Sequence, residues 1–355
     1  MRVLFRVDAS PVIGSGHLMR CLTLARELHE QGAHLSFACR GLEGAPLSLV
    51  PAEYELLGLP ARYANELAAD TAEARIDNRA DAEALHALMG ERHFDWCVVD
   101  HYALDAEWHG LARRHARRVM VLDDLANRPL DCDLLLDQGL HVAPDSRYAG
   151  RLASVATRLF GPTYALLRDE FLLAREQAAP RTGNLERVLV FFTCGDDQGE
   201  TLKALHALAG WRPLLQVDVV IGQGHADRQV LDALCAAHGW RLHCQIDYMA
   251  RLMAEADLAI GAAGSSSWER CALGLPALVV VLAENQRELA RGLDGLGLAI
   301  DLGEHARVTP TDYRRALDGL DAERLRGLSQ RAWDQVDGFG AVRVCRALLD
   351  ASVGS

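Results

Sequence analysis

Short apolar runs alternate along the chain with stretches that carry apolar residues at helical spacing. In the first half the runs are Val3–Val7, Leu35–Ala38, Trp96–Asp100, Val119–Asp123 and Leu134–Asp137. Between them, Leu18–Glu30, Asp81–Met89 and Glu107–His115 repeat their apolar positions with the period of a helix. Strand-helix alternation of this kind predicts a parallel sheet with helices on both faces. The pattern pauses at residues 174–186, where Pro180, Gly183 and Asn184 interrupt any periodicity, and this stretch reads as an interdomain linker. It then restarts with Val188–Phe192, Leu215–Ile221, Leu242–Cys244, Leu258–Ile260, Ala277–Leu282 and Leu298–Leu302. The expected architecture is therefore α/β: two doubly wound, Rossmann-like domains, residues 1–173 and 187–355, facing each other across a cleft.

Composition narrows this picture. At 355 residues the chain is long for a single hydrophobic core. Half of its residues are hydrophobic and 24% are charged, an ordinary globular profile. No apolar run approaches the roughly 20 residues that cross a bilayer. The N-terminus lacks a signal-peptide pattern, so no membrane association and a cytoplasmic location are expected. The net charge of −12 excludes a basic face for nucleic acid but not an anionic small ligand, which backbone N–H groups can hold. Nine cysteines without a C-x-x-C pair give neither zinc spacing nor a disulfide framework.

In doubly wound sheets ligands bind beyond the carboxyl ends of the strands, so chemistry is sought there. The first strand leads into Gly14-Ser15-Gly16-His17. This is no dinucleotide fingerprint: Met19 stands where a third small residue is needed, and Ala38-Cys39-Arg40 where an acidic residue should meet the ribose. Nor is it a Walker A loop. The glycines permit a tight turn that sets His17 in the first turn of the following helix. The positive end of a helix disfavours imidazolium, and a neutral imidazole can take a proton from water. Capping the helix is the plainer alternative for His17.

A second loop, Gly261-Ala262-Ala263-Gly264-Ser265-Ser266-Ser267, also sits between a strand and a helix. Its small residues let a phosphate approach the backbone, and Glu269 is placed to accept both hydroxyls of a ribose. Tyr102, after the run ending at Asp100, is placed to bind a substrate hydroxyl or orient His17. Asp123-Asp124 reads as structural, with one aspartate capping the next turn. The histidines show no metal-ligand spacing.

Taken in order, Phe5-Arg6-Val7-Asp8-Ala9-Ser10 with Gly14-Ser15-Gly16-His17, then Asp100-His101-Tyr102, then Phe160-Gly161-Pro162-Thr163-Tyr164-Ala165-Leu166-Leu167-Arg168, resemble a known family. The clearest match runs from Ala259 through Gly261, Gly264, Ser265, Ser266, Ser267, Trp268, Glu269 and Arg270 to Glu284-Asn285-Gln286. The family is that of the UDP-2,4-diacetamido-2,4,6-trideoxy-β-L-altropyranose hydrolases of pseudaminic acid biosynthesis. The resemblance implies a GT-B-like fold, UDP held on the C-terminal domain, and a sugar facing His17. It implies Asn285 and Gln286 as sugar contacts and neither an obligatory metal nor a cofactor. One departure is Thr193-Cys194-Gly195-Asp196, where the family often has a Gly-Gly-Ser-Asp-like turn. The reaction implied is inverting hydrolysis of the bond between the anomeric carbon and UDP. Rivals on the same fold are a UDP-sugar glycosyltransferase and a hydrolysing 2-epimerase; a non-catalytic nucleotide-sugar sensor is the rival from another class. Oligomeric state has no signal in the sequence.

Overall fold

Each apolar run that opens a half of the chain becomes an interior strand of its own parallel sheet. The computed structural model describes residues 1–10, 13–61, 76–152, 155–195, 197–212 and 214–353. Two units divide them: Met1–Gly139 with Ala143–Leu166 and Phe339–Ser355, and Leu167–Gly338 with Leu140–Val142. In chain order the first unit holds β1 (Arg2–Val7), α1 (Gly16–Glu30), β2 (His34–Arg40), β3 (Glu55–Leu59), α2 (Asn78–Met89) and β4 (Phe94–Asp100). It continues with α3 (Ala106–Ala112), β5 (Ala116–Leu122), β6 (Leu134–Asp137), α4 (Pro144–Arg147) and β7 (Thr157–Phe160). The second unit follows with α5 (Asp169–Gln177), β8 (Arg187–Phe191), α6 (Glu200–Leu208), β9 (Gln216–Ile221), α7 (Arg228–His238) and β10 (Arg241–Cys244). It then adds α8 (Met249–Glu255), β11 (Leu258–Ala262), α9 (Ser266–Ala272), β12 (Ala277–Val281), α10 (Arg287–Gly295), β13 (Ile300–Glu304), α11 (Pro310–Asp318) and α12 (Ala322–Gln335). The last helix, α13 (Gly340–Val353), returns to the first unit.

The strand orders are β3-β2-β1-β4-β5-β6-β7 and β10-β9-β8-β11-β12-β13. Every paired neighbour is parallel. Both sheets therefore reverse direction of growth at the same place, between β1 and β4 in one and between β8 and β11 in the other. A crevice opens at such a switch point because the two connections leave on opposite faces. The loops after β1, β4, β8 and β11 are thus the ones the topology offers to ligands.

Helices on both faces explain why the central strands are apolar throughout rather than alternating. On one face of the first sheet Phe5 stacks on Phe37 at 4.7 Å, under Leu24 and Leu28 of α1. On the other, Leu4 and Val99 pack with Trp108 of α3. Each such fully buried large side chain contributes about 1.5–3 kcal/mol. Helix α13 adds Ala341, Val344, Cys345 and Leu348 to the α1 face, and Trp96 Nε1 donates to Ser352 Oγ at 2.9 Å.

Three features differ from the expectation. The edge strands β3 and β7 were not predicted; β3 is exposed at most positions and β7 has only four residues, so neither carries a long apolar run. The aperiodic stretch at 174–186 begins inside α5 and then packs into the second unit. There the Arg181 guanidinium donates to the carbonyls of Met253, Ala254, Ala256 and Leu273, satisfying orphan groups at the ends of α8 and α9. Finally, residues 339–355 count with the first unit, because the apolar face of α13 meets α1. No helix among the described residues is long and apolar enough to cross a membrane.

Candidate active site

The turn between β1 and α1 is built for an abrupt entry into a helix. Gly14 sits at φ +83°, where a side chain would be strained, and its N–H closes on the Ser10 carbonyl at 2.8 Å. Ser15 occupies the position before the helix, Gly16 opens it, and His17 follows on its first turn. The imidazole reaches the end of β4: Nδ1 lies 2.6 Å from Oδ1 of Asp100, whose side chain is fully buried. Arg20, one helical turn on from His17, grips the same carboxylate with two bonds of 2.6 Å, Nε to Oδ2 and Nη2 to Oδ1. Tyr102 packs its ring edge-on against His17 with centroids 4.7 Å apart.

This geometry sets the tautomer. A carboxylate oxygen only accepts, so an imidazole nitrogen 2.6 Å away must carry its proton. Nδ1–H therefore donates to Asp100, and in the neutral ring the lone pair lies on Nε2. Burial pushes the Asp100 carboxyl up, but Arg20 and His17 outweigh it and hold the group well below the usual carboxylate range. Burial and Asp124 push the Tyr102 phenol well above its ordinary range, so it stays a protonated donor.

Among the strand-end aspartates Asp8, Asp100 and Asp123, it is Asp100 that meets the His17 ring. Asp8 is engaged below, in a buried network at the ends of β1, β2 and β4. It takes Nη1 and Nη2 of Arg6 at 2.6 and 2.9 Å and the Arg40 backbone N–H at 2.8 Å. Asp81 takes the other edge of Arg6, at 3.1 and 2.9 Å, and the indole N–H of Trp108 at 2.7 Å. Asp123 accepts from the Ala126 N–H, from Arg128 and from Tyr148, the structural role the sequence suggested. Asp124 behaves otherwise: its Oδ2 lies 3.5 Å from Arg20 Nη1, and its charge helps to hold the Tyr102 phenol protonated. Arg20 is the member of the cluster that the sequence did not point to, and Asp124 is the one it pointed to only as structural. The spacing of His17 and Arg20, three apart on a helix, was the available signal.

In the second unit Gly261, next to last in β11, lies against Phe191 of β8, and a Cβ there would lie 2.1 Å from the Phe191 carbonyl oxygen. Gly264 and Ser265 make the turn into α9, with Ser265 exposed and Ser266 half-buried. Ser267 is buried, and its hydroxyl accepts from Arg270 at 2.9 Å. The Gln286 amide nitrogen would lie 3.8 Å from a Cβ on Gly264, and its Oε1 accepts from the Leu282 N–H. Asn285 beside it is exposed. Glu269 faces Arg168, Nη2 to Oε1 at 3.4 Å, and Arg168 also pairs with Glu170. Burial raises the Glu269 carboxyl above its ordinary value against the pull of Arg168. In the Thr193-Cys194-Gly195 turn, Thr193 Oγ1 accepts from the Gly195 N–H at 3.2 Å. Asp196, the last residue of that divergent stretch, lies outside the described residues.

Comparison with known proteins adds to this geometry. Residues 190–333 match the glycosyltransferase family 28 C-terminal domain. A UDP-2,4-diacetamido-2,4,6-trideoxy-beta-L-altropyranose hydrolase of Campylobacter jejuni is 29% identical over 194 residues, 55% of this chain and 60% of that protein. The spore coat polysaccharide biosynthesis protein SpsG of Bacillus subtilis is 28% identical over 200 residues, 55% of this chain and 59% of that protein. The matched stretch thus spans about three-fifths of these two relatives' length. MurG of Acinetobacter baumannii superposes with a TM-score of 0.68 at 15% identity, covering 98% of this chain and 99% of that one. The chain has a GT-B-like fold, and it is similar to the UDP-2,4-diacetamido-2,4,6-trideoxy-β-L-altropyranose hydrolases that its motifs resemble.

Proposed function

We propose that this protein is a UDP-sugar hydrolase that cleaves the anomeric C–O bond of UDP-2,4-diacetamido-2,4,6-trideoxy-β-L-altropyranose with inversion, releasing UDP and the free sugar for pseudaminic acid biosynthesis. The observation that carries this reading is the Asp100–His17 pair at the switch point of the first sheet, an imidazole fixed with its lone pair on Nε2. Likeness to the Campylobacter enzyme supports the substrate class.

His17 Nε2 takes a proton from water as the water oxygen bonds to the anomeric carbon. The bond from that carbon to the UDP oxygen breaks, and its electron pair leaves with UDP. One displacement inverts the anomeric centre. A diphosphate is a good leaving group, so no second acid is required. Tyr102, a protonated phenol beside the imidazole, binds the water or a sugar hydroxyl. On the second unit the backbone N–H groups around Gly264, Ser265, Ser266 and Ser267 receive the diphosphate, where charge grows as the bond breaks. Glu269 accepts the ribose hydroxyls, and Asn285 and Gln286 meet the sugar. Gly14, Ser15 and Gly16 keep the approach to His17 free of side-chain bulk.

The match to a glycosyltransferase domain favours a second reading, in which an acceptor hydroxyl replaces water on the same framework. Chromatography of UDP released from the substrate with no acceptor present separates the two. A hydrolase turns over continuously; a transferase leaves the nucleotide sugar intact.

A further inference from the structure

A carboxylate against imidazole Nδ1 has two effects that pull apart. It orients the ring, which a general base needs. It also favours the imidazolium, which has no lone pair left to act with. An Asp–His pair left to itself therefore risks a base that is well aimed and already protonated. The environment of Asp100 bears on this conflict.

Among the described residues, Asp100 and Tyr102 from the end of β4 and Arg20 from its own helix face the His17 ring. One contact further out are Cys21, 3.6 Å from Asp100 Oδ2, and Asp124, 3.5 Å from Arg20. Arg20 meets Asp100 with one edge of its guanidinium, Nε on Oδ2 and Nη2 on Oδ1. Its Nη2 also comes within 3.1 Å of His17 Nδ1, since the two donors converge on one oxygen. The Arg20 side chain is only 12% exposed and that of Asp100 not at all, so water screens neither charge well.

We propose that Arg20 is a positioning residue for His17: its guanidinium neutralises Asp100, so that the carboxylate orients the imidazole without turning it into a standing imidazolium. This rests on His17 being the base, but its physical content, the charge state of one imidazole, is measurable without any substrate. Asp124 faces the outer edge of Arg20, Oδ2 to Nη1 at 3.5 Å, and its charge also acts on the Tyr102 phenol.

The test is an NMR titration of the His17 imidazole, assigned by its loss in His17→Phe, in wild type, Arg20→Met and Arg20→Lys. Arg20→Gln replaces the methionine variant if that one melts below wild type by circular dichroism. In Arg20→Met or Arg20→Gln the midpoint of His17 rises by about one pH unit or more, because the compensating charge is gone. Arg20→Lys brings it back towards wild type, since an ammonium supplies the charge. It does not restore full turnover, since one point donor cannot hold both oxygens. On the nucleotide sugar, the acid limb of kcat/KM moves up with the midpoint, and kcat at neutral pH falls about 10–100-fold. A His17 midpoint unmoved in a folded Arg20→Met or Arg20→Gln variant overturns the proposal. A midpoint that moves in a protein that never releases UDP confirms the role of Arg20 and sinks the hydrolase reading instead.

Discussion

His17 and Glu269 are predicted to fail in different ways when truncated. General base catalysis is worth about 10²–10⁴-fold, so His17→Ala should lower kcat by a factor in that range. UDP affinity, measured by calorimetry, should stay near wild type, because the nucleotide contacts are assigned to the second unit. Glu269→Ala should instead weaken UDP by about 1.5–3 kcal/mol, the worth of hydrogen bonds to a charged group. If His17→Ala lost affinity and Glu269→Ala lost only kcat, the two roles would have to be exchanged. His17 was legible in the sequence because glycines at 14 and 16 announce a tight turn and the next residue is titratable. Asp100 stood at a strand end and drew notice, but strand ends are rich in aspartates. Three-dimensional pairing was needed to separate the one on His17 from Asp8 and Asp123, which serve Arg6 and Arg128.

The elements beneath the site depend on a buried ionic network that links β1, β2 and α2. Arg6, Asp8, Arg40 and Asp81 are all buried and balance in charge. Removing one partner leaves an uncompensated charge in the interior, which costs about 3–5 kcal/mol. Arg6→Met should show that loss in urea unfolding, and a loss below about 1 kcal/mol would mean that the network relaxes or admits water. Acid should act through the same residues. Burial raises the Asp81 carboxyl, yet Arg6 and Arg40 bring it down from 3.8 to about 2. A group whose folded pKa is depressed stabilises the fold at pH above its unfolded value. That stability is lost as pH falls from about 4 to about 2. Thermal melts across that range should show a steep fall in Tm, shallower in Asp81→Asn. None of this was legible in the alternation of apolar runs. Arg6 lies inside an apolar strand, where it looks like an interruption, and its partner Asp81 is 75 residues away. The same blindness hid β3 and β7, since an edge strand with one partner needs no continuous apolar run.

At the scale of the whole molecule, the sequence pattern located eleven of the thirteen strands among the described residues and the doubled α/β plan, because interior parallel strands must be apolar on both faces. It could not assign the C-terminal helix. The apolar stripe of α13 fits any sheet face, and only packing shows that α1 and Trp96 receive it. The repeated strand order also gives the functional plan its logic. Each unit has one switch point, the first carrying the imidazole and the second the small-residue loop with Glu269. Neither loop alone is specific; the proposed reading gives the base to the first unit and the nucleotide contacts to the second, in a chain similar to a UDP-sugar hydrolase.

The most direct test of inverting hydrolysis at carbon is real-time proton NMR of the nucleotide sugar, incubated without acceptor in ¹⁸O-labelled water. The sugar first released should have the opposite anomeric configuration to the substrate, and the UDP formed should carry no ¹⁸O, because the bond broken is the carbon–oxygen bond. Substrate that remains intact, a first product of retained configuration, or label in the released nucleotide would each contradict direct attack of water on the anomeric carbon.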